Sequence, residues 1–402
     1  VSDSPATFGG DLSSLWRLDA MPPLRRLSWW WWWWLVVLPD PERPGRSRQL
    51  MILWSTKDTA KIRVKDHMWQ TDGRYHIDED GGHTLPGMVC AWWFDGKTMH
   101  EPYIIREARI AALDASHPMW PGDAPSETGF SGAGAVVPVT DEDLSMGLAS
   151  DGSHFWLNCA GDAAAVAGGA PAKFELKITP WTESASSAAY TNNEFVGGMG
   201  YDITRLHACR ASGTIDGEQV QGSAYFQKVT VQAPSVPWFW GFLHFSDGSY
   251  IDWFIPHASF SMSARDERAW KLRDISRIPM REAGLFHDEK RGRSERFARC
   301  EVELIQPQED DCEYDSDGTP LPIFHVRTWN GRTQVSIRVR AVSRANWTFD
   351  QPTRAGLVSH LTYNEYPLQV EAVSILDEQG VRTLEDYEWV HGNAEHAWGF
   401  LH

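Results

Sequence analysis

The sequence predicts an all-β protein built from two related antiparallel halves, and three observations carry that expectation. Six consecutive tryptophans, Trp29 to Trp34, run on into Leu35-Val36-Val37-Leu38, and an aromatic segment of similar kind, Trp238-Phe239-Trp240-Gly241-Phe242-Leu243-His244-Phe245, returns in the second half. Each is followed by a turn and a second apolar run, at 48–54 and 249–255. Asp-Gly pairs recur at 72–73, 80–81, 95–96, 151–152, 216–217, 247–248 and 317–318, with Asn330-Gly331 besides. These dipeptides supply the positive φ values that tight hairpins need.

Along the chain, the run 29–38 is apolar but only ten residues long. A helix needs roughly 20 residues to cross a bilayer, so this is a buried strand, ended by Pro39 and the turn at 41–45. Val89-Cys90-Ala91-Trp92-Trp93-Phe94 leads into Asp95-Gly96, and 334–342 follows Asn330-Gly331, both as strands. Segments 115–137 and 305–322 are rich in Pro, Gly and Asp and read as long surface loops. The short charged stretch 263–276 is the main helical candidate. Two low-complexity stretches, 162–172 and 182–189, bracket residues 173–180 and look like linkers. They place a domain boundary near residue 185, giving halves 1–185 and 186–402.

The chain has 402 residues, 22 tryptophans and a net charge of −17, with 28 Arg and 9 Lys. The charge argues against nucleic acid or an anionic membrane surface as partner. Acid excess with few lysines fits a salt-adapted cytoplasm, or simply an acidic protein. Five scattered cysteines without a Cys-x-x-Cys pair favour reduced thiols in the cytoplasm over a disulfide framework. The start, Val1-Ser2-Asp3-Ser4-Pro5, lacks the basic-then-apolar pattern of a signal peptide.

From Tyr201 to Phe254 the order of motifs is distinctive: Tyr201-Asp202-Ile203-Thr204-Arg205-Leu206, a hairpin at Asp216-Gly217, Val220-Gln221-Gly222-Ser223-Ala224-Tyr225, Trp238-Phe239-Trp240, then Asp247-Gly248. This order resembles the lipocalin-like superfamily of carotenoid hydratases (hydroxyneurosporene synthases), tocopherol cyclases and fungal lipocalin-fold Diels–Alderases. The resemblance implies two lipocalin-like β-barrel domains and a hydrophobic isoprenoid or polyene ligand, held in a barrel or between barrels. It implies a ligand wall from Tyr201, Arg205, Tyr225, Gln227, Trp238, Trp240, Phe242 and Trp253. The chain departs from the pattern at one point: where the hydratases carry an acid after this Tyr-containing strand, Gln227 stands, and an amide delivers no proton.

A displaced acid is therefore expected. A two-residue turn at Asp216-Gly217 pairs Ile215 with Glu218 and, further along, Leu206 with Gln227. Strand alternation then puts Asp202 on the face of Tyr225 and Gln227. Asp202 is the first candidate acid, then Glu194 in Asn192-Asn193-Glu194-Phe195, then His244. A two-residue turn at Asp247-Gly248 places His244 and Asp252 on opposite faces, against a dyad between them. Tyr363-Asn364-Glu365-Tyr366 repeats the Asn-Glu-aromatic pattern and reads equally as a strand start. His391 and His396 fall on opposite faces of a strand, so no metal ligand set is expected, and no cofactor motif is present.

Three functions compete. The first is acid-catalysed C=C hydration or cyclisation of an isoprenoid, with aromatic walls stabilising a carbocation. The second is a carrier of a hydrophobic ligand, which Gln227 favours. The third is carbohydrate binding on stacked tryptophans. Under the first two the partner is a hydrophobic small molecule, collected during transient contact with a membrane; oligomeric state is not legible. If the acid excess is a salt adaptation, the melting temperature should fall when molar salt is diluted, because unscreened carboxylates repel. Equal melting temperatures in molar and low salt would count against it.

Overall fold

A computed structural model of the chain describes residues 7–15, 26–59, 61–70, 76–77, 83–112, 144–149, 151–159, 170–182, 185–194, 196–233, 237–258 and 278–401. Two sheets hold all the strands of the described residues. The first contains ten main strands: β1 Ser28–Pro39, β2 Ser47–Lys57, β3 His83–Phe94, β4 Met99–Ala112, β5 Leu144–Leu148, β6 Phe155–Cys159, β7 Phe174–Pro180, β8 Ser187–Glu194, β9 Gly200–Ile215 and β10 Glu218–Gln232. Their order is β4-β3-β2-β1-β10-β9-β7-β6-β5, with β8 beside the first part of β9. The second sheet contains β11 Trp238–Phe245, β12 Tyr250–Ala258, β13 Ala283–Asp288, β14 Arg293–Phe297, β15 Arg299–Ile305, β16 Ile323–Trp329, β17 Gln334–Ala341, β18 Ala345–Pro352, β19 Val358–Asp377 and β20 Val390–Leu401. Their order is β14-β13-β12-β11-β20-β19-β17-β16-β15, with β18 beside the first part of β19.

The two pairing schemes match strand for strand. In each half a meander of four strands and a meander of six are joined where the first strand lies beside the last, the up-and-down order of a lipocalin-like barrel. Registers match as well. Strand β8 leaves β9 after the rung Ala189–Arg205, and β18 leaves β19 after the rung Ala345–Glu365. The rows Arg205–Gln227–Trp33 and Glu365–Glu395–Trp240 are therefore equivalent. The tryptophan run and the segment Trp238–Phe245 occupy corresponding strands, as their sequences lead one to expect.

Alternation along β1 explains why six indoles are tolerated in a row. Trp30, Trp32 and Trp34 point into the first sheet, where all ten strands contribute to one apolar cluster, as a curled sheet requires. The second sheet encloses its own cluster, including Phe239, Trp253, Phe324 and Ile337. Trp29 and Trp33 point the other way, into a third cluster shared by both sheets with Tyr225, Trp240, Phe242, Trp347 and Phe349. Trp33 and Trp240, at equivalent positions, meet edge to face with centroids 5.0 Å apart. Five of the six indoles are buried and Trp31 is half-buried. Exposed, they would form an apolar patch far beyond what soluble surfaces carry.

One hairpin ties the halves together. Strands Lys61–Val64 and His67–Gln70 branch from the chain after β2 yet belong to the second sheet, through Arg63 and Val64 opposite Asp350 and Phe349 of β18. Their Ile62, Val64 and Trp69 complete the shared cluster.

The chain passes from one sheet to the other between Gln232 and Trp238, whereas residue 185 lies in the first sheet between β7 and β8. Residues 187–189, read as linker, belong to β8. Residues 305–322 form a loop with a 3-10 turn at Glu309–Asp311. The helical candidate 263–276, the loop 115–137 and most of the stretch 162–172 lie outside the described residues. Among the described residues no helix is long and apolar enough to cross a membrane, and no two cysteines form a disulfide.

Trp33 packs at the centre of the shared layer. Trp33→Ala should cost about 3–5 kcal/mol, read as a lower urea midpoint, and the half-buried Trp31→Ala distinctly less. Equal costs would mean that the shared layer does not hold the halves together.

Candidate functional site

Two local departures from ideal hairpins decide which side chains face the shared layer. The Asp216-Gly217 turn is a two-residue one, with φ of 48° and 83°, and pairs Ile215 with Glu218 as expected. A β-bulge between Leu206 and Cys209 then shifts the register by one, so Gln227 pairs with Arg205 rather than Leu206. A one-residue shift exchanges the faces. Arg205 and Tyr201 thus share the layer with Tyr225 and Gln227, and Asp202 turns the other way, opposite Thr230. At Asp247-Gly248 the loop has three residues, 246–248, closed by Phe245 N–H to Ser249 O at 2.9 Å, with Gly248 at φ 91°. Such a loop pairs Phe242 with Asp252 and brings Asp252 onto the face of Trp240 and His244. The expected opposition of His244 and Asp252 is thereby overturned.

The result is a group of carboxyls among aromatic rings. Asp252 is buried, and its Oδ2 accepts from the Tyr225 hydroxyl at 3.1 Å and the Trp240 indole N–H at 3.2 Å. Tyr225 stacks on Phe242 and leans on Trp33 and Trp240. Further along, Glu395 accepts from the Tyr363 hydroxyl and from the Trp238 indole N–H at 2.8 Å. Glu365 lies directly across the strand pair from Glu395, fully buried, and neither of its oxygens has a partner in hydrogen-bond geometry. Among the described residues none of the three forms an ion pair with Lys or Arg.

Burial is the main force on all three, since it disfavours the charged form. It raises Asp252, against the opposing pull of Arg205 and the Trp240 and Tyr225 hydrogen bonds. It raises Glu395 to about 7, with the Trp238 and Tyr363 hydrogen bonds working against it. It pushes Glu365 well above the usual carboxylate range, and the Glu395 charge adds to the push. A fourth acid, Glu101 of β4, is raised to about 7 by burial despite Lys65 at 3.2 Å. Trp31, Leu53, Val231, Trp238, Phe254 and Tyr363 pack against the shared cluster but stay half-buried.

The expected site residues divide. Tyr225, Trp240 and Phe242 come together around Asp252, and Trp238 binds Glu395. Tyr201 packs edge-on against Phe254 and accepts from Arg281 at 2.8 Å, while Gln227 lies in the row of Arg205 and Trp33. Trp253 belongs to the second sheet's own interior. Asp202 is buried with Lys228 Nζ 3.1 Å from its Oδ1, so its charge is committed to neutralising that ammonium on the far side of the sheet. Glu194 is exposed at the end of β8. His244 is enclosed between Ser223 Oγ at 2.8 Å and the His207 carbonyl at 2.7 Å, and burial lowers it to about 3. The acids that do face the layer are Asp252, Glu365 and Glu395. Glu395 occupies the second-half position equivalent to Gln227.

The raised carboxyls make a pH prediction. Glu395 and Glu101 keep a proton in the folded state that the unfolded chain has lost between about 4.5 and 7. Their contribution to stability is complete below 4.5 and is lost as the pH rises through 7, at up to about 1.4 kcal/mol per pH unit for each. Glu395→Gln should flatten this fall in urea-unfolding free energies across that window. A slope unchanged by the substitution would show that Glu395 ionises normally.

Neither a family model nor a curated protein matches this sequence. Among solved structures, one described as a "putative AttH" from Nitrosomonas europaea is similar at 12% identity and a TM-score of 0.48, over 98% of this chain and 97% of that one.

Proposed function

We propose that the layer between the two sheets takes a hydrophobic, unsaturated small molecule of the isoprenoid or polyene class, and that a buried carboxyl protonates one of its double bonds. The observation that supports this most is Glu395: an acid raised to about 7, held by Tyr363 and Trp238, two half-buried aromatic side chains of the layer. A donor whose pKa lies near the working pH combines a usable proton with ready recharging. Asp252, against Tyr225 and Trp240, is the second donor within the same wall. Indole and phenol faces stabilise a developing cation through their π electrons, and the buried layer keeps bulk water from quenching it. Water admitted to the layer would give hydration; a second double bond of the ligand would give cyclisation. Membership of the lipocalin-like superfamily named above belongs to this proposal, as do a cytoplasmic site of action and salt adaptation.

A carrier role is the second reading, favoured by Gln227 in place of an acid and by the depth at which Glu365 lies. Incubation with linear and cyclic isoprenoids in D2O separates the two. An enzyme incorporates deuterium at carbon, and Glu395→Gln lowers that turnover by roughly 10²-fold or more with ligand quenching of tryptophan fluorescence retained. Recovery of bound ligand unchanged and unlabelled would establish the carrier instead.

A further inference from the structure

Glu365 and Glu395 face each other across one rung of β19 and β20, with Tyr363 two residues before Glu365 and so on the same side of the strand. Their hydrogen bonding is lopsided. Both oxygens of Glu395 are occupied, by Tyr363 and Trp238, whereas the buried oxygens of Glu365 have only the Tyr363 hydroxyl and the Trp92 indole beside them, neither in good hydrogen-bond geometry. A carboxylate so weakly partnered at that depth is very costly; a neutral carboxyl is far less so. Two adjacent buried carboxyls without a cation do not both ionise.

We propose that Glu365 stores a reserve proton and passes it through the Tyr363 hydroxyl to Glu395 each time Glu395 has given up its own. The inference rests on Glu395 as the donor in the function proposed above. When Glu395 gives its proton to a ligand double bond, a C–H bond forms and a carboxylate remains. The Tyr363 hydroxyl then hands its proton to Glu395 and takes the one from Glu365. The proton that the ligand cation finally releases, from carbon or from captured water, returns to Glu365, so protons balance and no oxidant is needed. The equivalent row of the first half, Arg205–Gln227, holds no acid, so this store belongs to the second half alone.

The groups around the pair set its sign. Asp252 of β12 raises Glu395; Glu101 of β4 raises Glu365, and Lys65 sits on Glu101. Cys90 of β3, itself pushed up by burial, also faces Glu365. Glu395, once ionised, raises Glu365 further, and Tyr363 holds Glu395 down.

The test uses the full-length, ligand-free protein with 13C-labelled glutamate, following protonated-carboxyl infrared bands against pH. Wild type should keep a protonated glutamate band above neutral pH that disappears in Glu365→Gln. In Glu395→Gln that band should titrate at least about one pH unit lower, because the neighbouring charge is gone. Tyr363→Phe should raise the Glu395 midpoint by removing a donor. With an isoprenoid substrate, Tyr363→Phe and Glu365→Gln should slow steady-state turnover roughly tenfold more than the first turnover. A Glu365 ionised at neutral pH, or a band unmoved in Glu395→Gln, overturns the stored proton. A protein that turns over no isoprenoid overturns the delivery step, and because the spectra need no ligand the two failures are told apart.

Discussion

A strand of six tryptophans has no side it can show to water, and the architecture follows from that constraint. The even-numbered indoles fill the interior of one curled sheet, which leaves Trp29, Trp31 and Trp33 in need of cover of comparable size. The cover is a second sheet of the same topology, presenting Trp238, Trp240 and Phe242 from the corresponding strand. Because each half supplies the same strand, the contact is close to self-complementary, and Trp33 against Trp240 is what such a pairing puts at its centre. Burial of that much aromatic surface is strong enough to carry polar groups into the layer with it.

Those polar groups are where the halves differ. On equivalent rungs the first half presents Arg205 and Gln227, the second Glu365 and Glu395. The first pair adds a cation to one side of the layer; the second adds two acids that burial keeps from ionising freely. Arg205 pulls on Asp252 but forms no ion pair with the two glutamates. The layer therefore holds acids whose ionisation burial disfavours, beside π faces, a combination that water-exposed carboxylates do not offer. The two sheets share a shape, and one row of it differs in the charge of its side chains.

The all-β class, the two related halves and the equivalence of the two aromatic strands were legible in the sequence, because they rest on composition and on turn dipeptides. The face each side chain takes was legible only where the turn was ideal. At Asp216-Gly217 the pairing is as read, up to a bulge that no residue near His207 announces. At Asp247-Gly248 the same dipeptide closes a three-residue loop, and that single extra residue moves Asp252 from the barrel interior to the shared layer. Glu365 stood out for its Asn-Glu-aromatic setting, but its partner Glu395 lies on a strand thirty residues on, and strand partners at that distance are set by packing rather than by local pattern. The passage between sheets was illegible for the same reason: the Ser/Ala-rich stretch near residue 185 marks a change of composition, and β8 runs through its end.

The hairpin 61–70 has a consequence for how the chain comes together in time. It is made with the first half yet completes its ladder on β18, a strand synthesised almost three hundred residues later. Until β18 arrives, the edge of Lys61–Val64 and the apolar side chains of Ile62, Val64 and Trp69 have no neighbour, and the outward tryptophans of β1 wait with them. A nascent first half is thus a sticky object, with a bare strand edge beside bare indoles, the features that promote association with other chains. Completion of the second half covers both at once, so these surfaces stay bare until residues 238–352 have been made.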